Sequence, residues 1–568
     1  MARRPTEIIY GSDDRPRGAT LATLGFQHLL IASVGLIFPV ILAVEADADP
    51  NQTQHLVQAT LIAVGVATIL QGLRKGPFGS GYLCPGVGTP VYFPASLLAI
   101  KSGGLSLLFG MLFFAGLVEA LFSRLLPRLR ALLPTEVTGV VVTMVGLWVI
   151  QISVSRFVGV SGEDTVSDVR EVLVGGIALA VMCAFSVLRK GPWRLYCVVI
   201  GIGVGCVVSW LCGLTTVDDL APLEAAPFLS APGLVAMDWS FDIALAIPFG
   251  IAGLTAALKG AGDLSVCQKI DASDWRRPDF GTIGRGILAD AAGTMSAGIF
   301  GGAGQATSTS NIGCAIATGA ASRWIGFVAG GLTIMLAFFP KVAALVSIIP
   351  TPVMGAALMF AAAFMIVAGI QVICSRMLDT RKILVVGLAL TMGLSADLGP
   401  HLYAGVPAWI APVFSSSLSL TMVTAVVLNL LFRIGIATRR SFEFAPGADA
   451  SATIADFIEA SGAAWGARAD VITRAMSIIT EFAEAAADAE LVQGVVSVEV
   501  VFDELNLHIE LCYAGEPIML PRDRPTPDEI LDEGGLVRLS GYLVGQLADN
   551  LRMDVLDGRH RLRIRLMH

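Results

Sequence analysis

Charge is what this chain has least of. Charged residues make up 15% of its 568 positions, whereas a soluble globular chain carries about 25%. The deficit lies between Thr20 and Leu431, and the residues after Arg440 have ordinary composition. The first part therefore cannot be an ordinary soluble domain, and the second can. Paired cysteines are missing too. Nine cysteines occur without a C-x-x-C spacing, and most, including Cys183, Cys197, Cys206 and Cys314, sit in apolar runs. They read as small packing hydrophobes rather than disulfides or metal ligands. A net charge of −8 gives no basis for a nucleic-acid partner. No nucleophile constellation, metal cluster or phosphate loop is visible, so neither an enzyme nor a cofactor is expected. Met1 to Gly18 carries Arg3, Arg4, Arg15 and Arg17, and the first apolar run is too long for the core of a cleavable signal peptide.

What is present is a succession of apolar runs of the length that crosses a hydrocarbon layer, about 20 helical residues for ~30 Å. They read as 21–44, 56–73, 79–100, 104–123, 134–153, 171–188, 194–213, 241–268, 281–299, 303–318, 323–348, 351–374, 382–396 and 413–433. Positive charge tests this count, because cytoplasmic loops are enriched in Lys and Arg. The even-numbered turns are basic: Arg74 and Lys75; Arg124, Arg128 and Arg130; Arg189, Lys190 and Arg194; Arg276 and Arg277; Arg323; Arg376, Arg381 and Lys382. The alternate loops are mostly acidic, with Lys101, Arg156 and Arg170 as exceptions. The pattern predicts a multi-pass protein of the cell (inner) membrane with both termini cytoplasmic. Residues 1–20 form an N-terminal tail, 21–436 the transmembrane domain and 437–568 a cytoplasmic soluble domain.

About fourteen spans divide into two sets of seven, and an odd-numbered repeat inserts its second copy inverted. In such transporters substrate lies at mid-membrane between Gly/Pro-broken segments at matching positions of the two halves. The third run, GSGYLCPGVGTPVYFP from Gly79 to Pro94, and the tenth, FGGAGQATSTSNIGCAIATG from Phe300 to Gly319, fit that description. Non-helical backbone survives at membrane depth only beside protein or a wet cavity. A half-helix after an extended stretch leaves backbone donors at its N-terminus for a polar substrate. The plainer reading, close packing through small residues, loses ground because two such runs occupy matching places.

The tenth run also carries a family resemblance. Ser310-Asn311-Ile312-Gly313-Cys314-Ala315-Ile316-Ala317-Thr318-Gly319 resembles the signature of the nucleobase–ascorbate transporters, matching it at Asn311, Gly313, Thr318 and Gly319. Tyr10-Gly11-Ser12-Asp13-Asp14-Arg15-Pro16 is similar to the pre-membrane segment of bacterial purine permeases. Gln27-His28 and Phe300-Gly301-Gly302 stand where that family carries the same residues. The resemblance covers about Tyr10 to Leu431. It implies a core domain of spans 1–4 and 8–11, a gate domain of spans 5–7 and 12–14, and an elevator-type movement between them. It also implies pairing into a homodimer through the gates and coupling to H+ or Na+. Substrate would sit between spans three and ten, at Gly88, Thr89, Val91, Thr309, Ser310, Asn311 and Gly313, with side-chain contacts from span eight.

Two departures qualify it. Where the family places a glutamate in span eight, this chain reads Lys259-Gly260-Ala261-Gly262-Asp263, and the first signature position is Ser310. A charge near mid-membrane costs at least about 2.5–3.5 kcal/mol, so Lys259 should face a cavity and have a partner. Asp263, one turn on along the same face, is that partner. The pair reads either as structural, a tethered ammonium in place of a bound cation, or as functional, binding an anionic substrate or coupling protons. Asp263, Lys259 and His28 are the coupling candidates, although a histidine there is more often a packing residue. Asp290 reads as a hydrogen-bonded structural carboxylate. Thr307 and Ser308 join Thr309 as hydroxyl donors beside the site.

In the soluble part, Ala452–Ala460 and Ala469–Ala487 have helical periodicity, Val495–Phe502 and Leu505–Cys512 alternate as strands, and Leu536–Leu551 reads as a helix. Met553–Leu556 and His560–Leu566 flank Asp557-Gly558, a hairpin turn. The order predicts an α/β sandwich similar to the ATP-binding fold of histidine kinases and anti-sigma factors. It lacks the metal-holding Asn and the adenine-reading Asp of that fold, so a non-catalytic interaction module is expected. The leading function is a secondary transporter of a purine-like nucleobase of the xanthine/urate class. The alternatives are a small-anion transporter using Lys259 and a transporter-like sensor signalling through the soluble domain.

Overall fold

A computed structural model describes residues 8–129, 134–159, 168–188, 196–216, 218–232, 239–272, 278–374, 378–407, 411–414, 416–433, 435–447, 450–504, 506–521, 523–526, 535–556 and 558–567. Arg3, Arg4, Arg130, Glu163, Asp164, Arg189, Lys190, Arg194, Arg276, Arg277, Arg376, Leu505 and Asp557 lie outside the described residues. The chain forms two compact units, Met1–Asn429 and Leu430–His568.

The helices of the first unit are α1 (Gly18–Ser33), α2 (Ile37–Glu45), α3 (Pro50–Gln71), α4 (Phe93–Leu129), α5 (Thr135–Phe157), α6 (Val169–Leu188), α7 (Cys197–Leu211), α8 (Ala221–Ala225), α9 (Ala246–Asp271), α10 (Phe280–Phe300), α11 (Thr309–Thr318), α12 (Arg323–Leu336), α13 (Pro340–Ser347), α14 (Thr351–Ile373), α15 (Thr380–Leu398), α16 (Ala411–Phe414) and α17 (Ser417–Phe432). Among the described residues, seven helical stretches are long and apolar enough to cross a membrane, or eight if a bent pair counts as one. Other apolar runs fold into shorter pieces: α7 and α17 have 15 and 16 residues.

Local chemistry places the ends. α3 starts at Pro50, ahead of the apolar run expected from residue 56. Asp49 accepts from the Gln52 backbone N–H at 2.8 Å while Gln52 Oε1 accepts from Asp49 N at 3.1 Å. This capping box satisfies the donors of a polar first turn. α4 is broken at Gly103–Gly104, where Gly104 takes φ +70°, a left-handed conformation that glycine adopts without penalty. The run expected as one span over 323–348 is instead two helices, α12 and α13, bent by 83°. Pro340 opens α13; it cannot donate to the preceding turn and its ring ends the helix.

The helices group into two sets. α14 packs along α5, α6 and α7, and α15 along α5. α10 packs along α3, α4 and α9, while α12 lies against α1 and α3.

The second unit is an antiparallel sheet with helices on one face. Its strands β3 (Thr438–Phe444), β4 (Val496–Phe502), β5 (Asn506–Tyr513), β6 (Asn550–Leu556) and β7 (Arg559–Met567) follow the order β3-β4-β5-β7-β6. Strand alternation buries Val496, Val498, Val500, Ile509, Leu511 and Ile564 against Ile454, Ile458, Ile478 and Phe482 of α18 (Ala450–Trp465) and α19 (Ala469–Asp488). One helix end and one added strand depart most from the sequence reading. The last helix, Gly535–Leu547, stops before Leu551, which lies in β6 opposite Ile564. The added edge strand β3 has a mostly exposed pattern with Arg439, Arg440 and Glu443, so it gives little alternation to read.

Candidate functional site

Strands β1 (Gly86–Gly88) and β2 (Gln305–Thr307) bring the third and tenth runs together. They pair antiparallel, Gly86 with Thr307, Val87 with Ala306 and Gly88 with Gln305. Pairing continues where Thr89 N donates to Gly304 O at 3.2 Å and Ser308 N to Pro85 O at 2.9 Å. The non-helical backbone of each run is thus satisfied by the other, the condition for its existence at membrane depth. The α1–α2 break presses on β1 from behind. A Cβ on Gly35 would stand 2.6 Å from Gly88 O and 2.7 Å from Gly88 N, and one on Gly88 would strike Gly35 O. Only glycine permits this approach. Each strand leads into a capped turn: Thr89 Oγ1 accepts from Val91 N at 3.4 Å, and Ser308 Oγ from Asn311 N at 3.3 Å.

Span eight, α9, lays Lys259 and Asp263 beside β2. Lys259 Nζ stands 2.9 Å from Asp263 Oδ2 and also donates to Thr307 O. Thr307 Oγ1 donates to Asp263 Oδ2 at 2.7 Å and Thr309 Oγ1 to Oδ1 at 2.8 Å. The Asp263 carboxylate therefore accepts three hydrogen bonds from α9, β2 and α11. An ammonium has three donors, two of which these contacts use; one is left. The Lys259 and Asp263 side chains are 14% and 7% exposed, so both charges are poorly hydrated.

His28 of α1 and Asn311 of α11 are fully buried, with His28 Nδ1 at 2.9 Å from Asn311 Oδ1. An amide oxygen only accepts, so in this pairing Nδ1 carries the proton. His28 Nε2 and Asn311 Nδ2 are left as an unpaired buried acceptor and donor. Thr309, Ser310 and Gly313 are exposed on α11. Gly88, Thr89 and Val91 are not on this open side; all three are buried, and the Thr89 and Val91 N–H groups are bonded within the protein.

A third group escaped the sequence reading. Glu119 of α4 is wholly buried, and Tyr92 Oη donates to its Oε2 at 3.1 Å. Thr294 Oγ1 lies 3.5 Å from Tyr92 Oη and 3.2 Å from Gln305 O. Gln305 Nε2 donates to Asp290 O at 2.8 Å and Asp290 Oδ1 at 3.1 Å. The signal was present: Glu119 is an ionisable residue within an apolar run, which marks a functional position by default.

This arrangement defines a membrane transporter: a multi-pass helical protein whose two broken segments meet beside a buried ion pair. The family follows from comparison. The Permease family model matches residues 19–402, and the chain belongs to that family, the nucleobase–ascorbate transporters. It is 30% identical over 445 residues to xanthine permease XanP of Escherichia coli (strain K12), covering 75% of this chain and 95% of the relative. Xanthine permease XanQ of the same organism is 27% identical, covering 75% and 94%. The uric acid transporter UacT, also from Escherichia coli (strain K12), is 27% identical, covering 76% and 89%. The transmembrane domain of a cyanobacterium bicarbonate transporter, BicA, overlays with TM-score 0.46 at 15% identity, over 74% of this chain and 99% of that one. The chain is a permease that moves a small molecule across a membrane, not an enzyme.

Proposed function

We propose that the protein is a secondary active transporter of a purine-like nucleobase of the xanthine/urate class, working by elevator-type movement. The observation that carries this reading is the β1–β2 pair that joins the two broken runs, in a chain whose relatives are named for xanthine and uric acid. The two helix groups support a core of spans 1–4 and 8–11 moving against a gate of spans 5–7 and 12–14. On this reading about fourteen spans form 7+7 inverted repeats, both termini are cytoplasmic in the cell's inner membrane, gates pair into a homodimer, and residues 437–568 form a cytoplasmic module. Substrate contacts come from Lys259, Thr309, Ser310, Asn311 and Gly313, with H+ or Na+ as coupling ion.

A second reading, a small organic anion as cargo, is favoured by one observation: the remaining Lys259 donor replaces a family carboxylate. Uptake of radiolabelled xanthine and urate into proteoliposomes, competed by small carboxylates, tests both. Competition between xanthine and urate alone supports the first reading. Uptake blocked only by carboxylates refutes it in favour of the second, and ligand binding without vectorial uptake refutes transport.

A further inference from the structure

Two carboxyl groups in this membrane unit stand where neither can be hydrated. Glu119 and Asp290 are 0% and 1% exposed, and their side chains meet within hydrogen-bonding reach. The helices that carry them approach closely: a Cβ on Gly116 of α4 would stand 3.0 Å from Ala291 O of α10. Glu119 Oε2 and Asp290 Oδ1 have donors in Tyr92 and Gln305. Glu119 Oε1 and Asp290 Oδ2 have no donor at full hydrogen-bond geometry, although the Thr307 backbone N–H also stands beside the Asp290 carboxyl. Two ionised carboxylates present only acceptors to each other, and like charges sharing a dry site cannot both stay ionised. A single proton held between the two carboxyl groups removes that repulsion and supplies the donor the contact lacks. The surroundings favour a proton over a metal cation, because Gln305 Nε2 points its hydrogens at Asp290 and the Lys259 ammonium lies nearby. Among the described residues, the titratable groups near the pair are Tyr92, Lys259 and the buried thiol of Cys84, with Asp263 bonded to Lys259. An independent sign of incomplete bonding is Gln305 Oε1, also buried and unpaired.

We propose that Glu119 and Asp290 share one proton and that this proton is the ion coupled to transport. The inference rests on the transporter reading above. It differs from the coupling candidates seen in the sequence, since Lys259 and Asp263 neutralise each other and His28 is tied to Asn311. The pair also has a route to the substrate strand. Gln305, which bonds Asp290, lies in β2 two residues before Thr307, which bonds Lys259. Losing the proton leaves two adjacent buried anions, and relieving them moves Asp290, Gln305 and β2 together. A protonated pair therefore holds β2 in the form seen here, and the proton leaves after the core has exposed the site to the cytoplasm.

The test has an arm that needs no substrate. Infrared difference spectra of the full-length protein should show a protonated-carboxyl C=O band at neutral pH that is lost in both E119Q and D290N. The absence of that band in the wild type overturns the proposal, whatever the cargo. In proteoliposomes with an inward gradient of one pH unit, one proton per neutral substrate supports accumulation of about tenfold. E119Q, whose amide supplies the missing hydrogen permanently, should exchange labelled xanthine across the membrane but bring it only to equal concentrations. Wild-type accumulation by E119Q, or accumulation driven by Na+ without a pH gradient, refutes the proposal. If E119Q does not fold, E119D keeps a titratable carboxyl, and an unshifted pH profile of accumulation in that variant refutes it equally.

Discussion

Lys259→Met separates the uses of the ion pair beside β2. The substitution removes the ammonium and leaves Asp263 7% exposed with hydroxyl donors from Thr307 and Thr309. Breaking a buried pair from one side costs about 3–5 kcal/mol, because the survivor is an uncompensated charge. The two remaining hydroxyls put this case at the low end, about 3 kcal/mol, or roughly two decades in the unfolding equilibrium constant. Replacing both members, K259M/D263L, removes both charges, and such exchanges are often neutral or stabilising. Thermal unfolding in detergent should therefore rank K259M well below wild type and the double variant near it. Equilibrium binding of xanthine or urate reads the other function: if the third Lys259 donor grips substrate, binding is lost in both variants, despite restored stability. A K259M protein that unfolds at the wild-type temperature refutes the electrostatic argument, and a double variant that binds as wild type refutes substrate contact by Lys259.

Gly88→Ala should displace β1, because its Cβ would meet the Gly35 carbonyl; we expect a loss of about 1–3 kcal/mol and of uptake, read by unfolding and transport of the same preparation. Asp271 at the end of α9 accepts from Ser12 N at 2.9 Å and Ser12 Oγ at 2.8 Å. D271N should loosen the segment around Ser12 by about 1.5–3 kcal/mol, the range for bonds to a charged group, seen as faster proteolysis before α1. In the second unit Arg561 and Arg563 hold the Asp554 carboxyl down at about 2. Its folded pKa lies below its unfolded value, so its stabilisation is complete above about pH 4 and lost as pH falls toward 2. Hydrogen exchange in β6 and β7, corrected for intrinsic rates, should accelerate over that window in the wild type and show no such step in D554N.

The sequence by itself determined the features that depend on composition and short-range order. Apolar runs of membrane length, the broken third and tenth runs, the Lys259–Asp263 spacing and the period-2 strands of the second unit are all local patterns, and so is the family resemblance carried by the signature around Asn311. Only the tertiary structure decided what is brought together from afar. β1 and β2 lie more than two hundred residues apart in the chain, and their register fixes which backbone groups are already bonded. It withdrew the Thr89 and Val91 N–H groups from the open side and paired His28 with Asn311. It also joined Glu119 to Asp290. Each carboxyl alone reads as a lone charge in an apolar run; a shared proton requires two, and the distance between them belongs to the packing of α4 on α10.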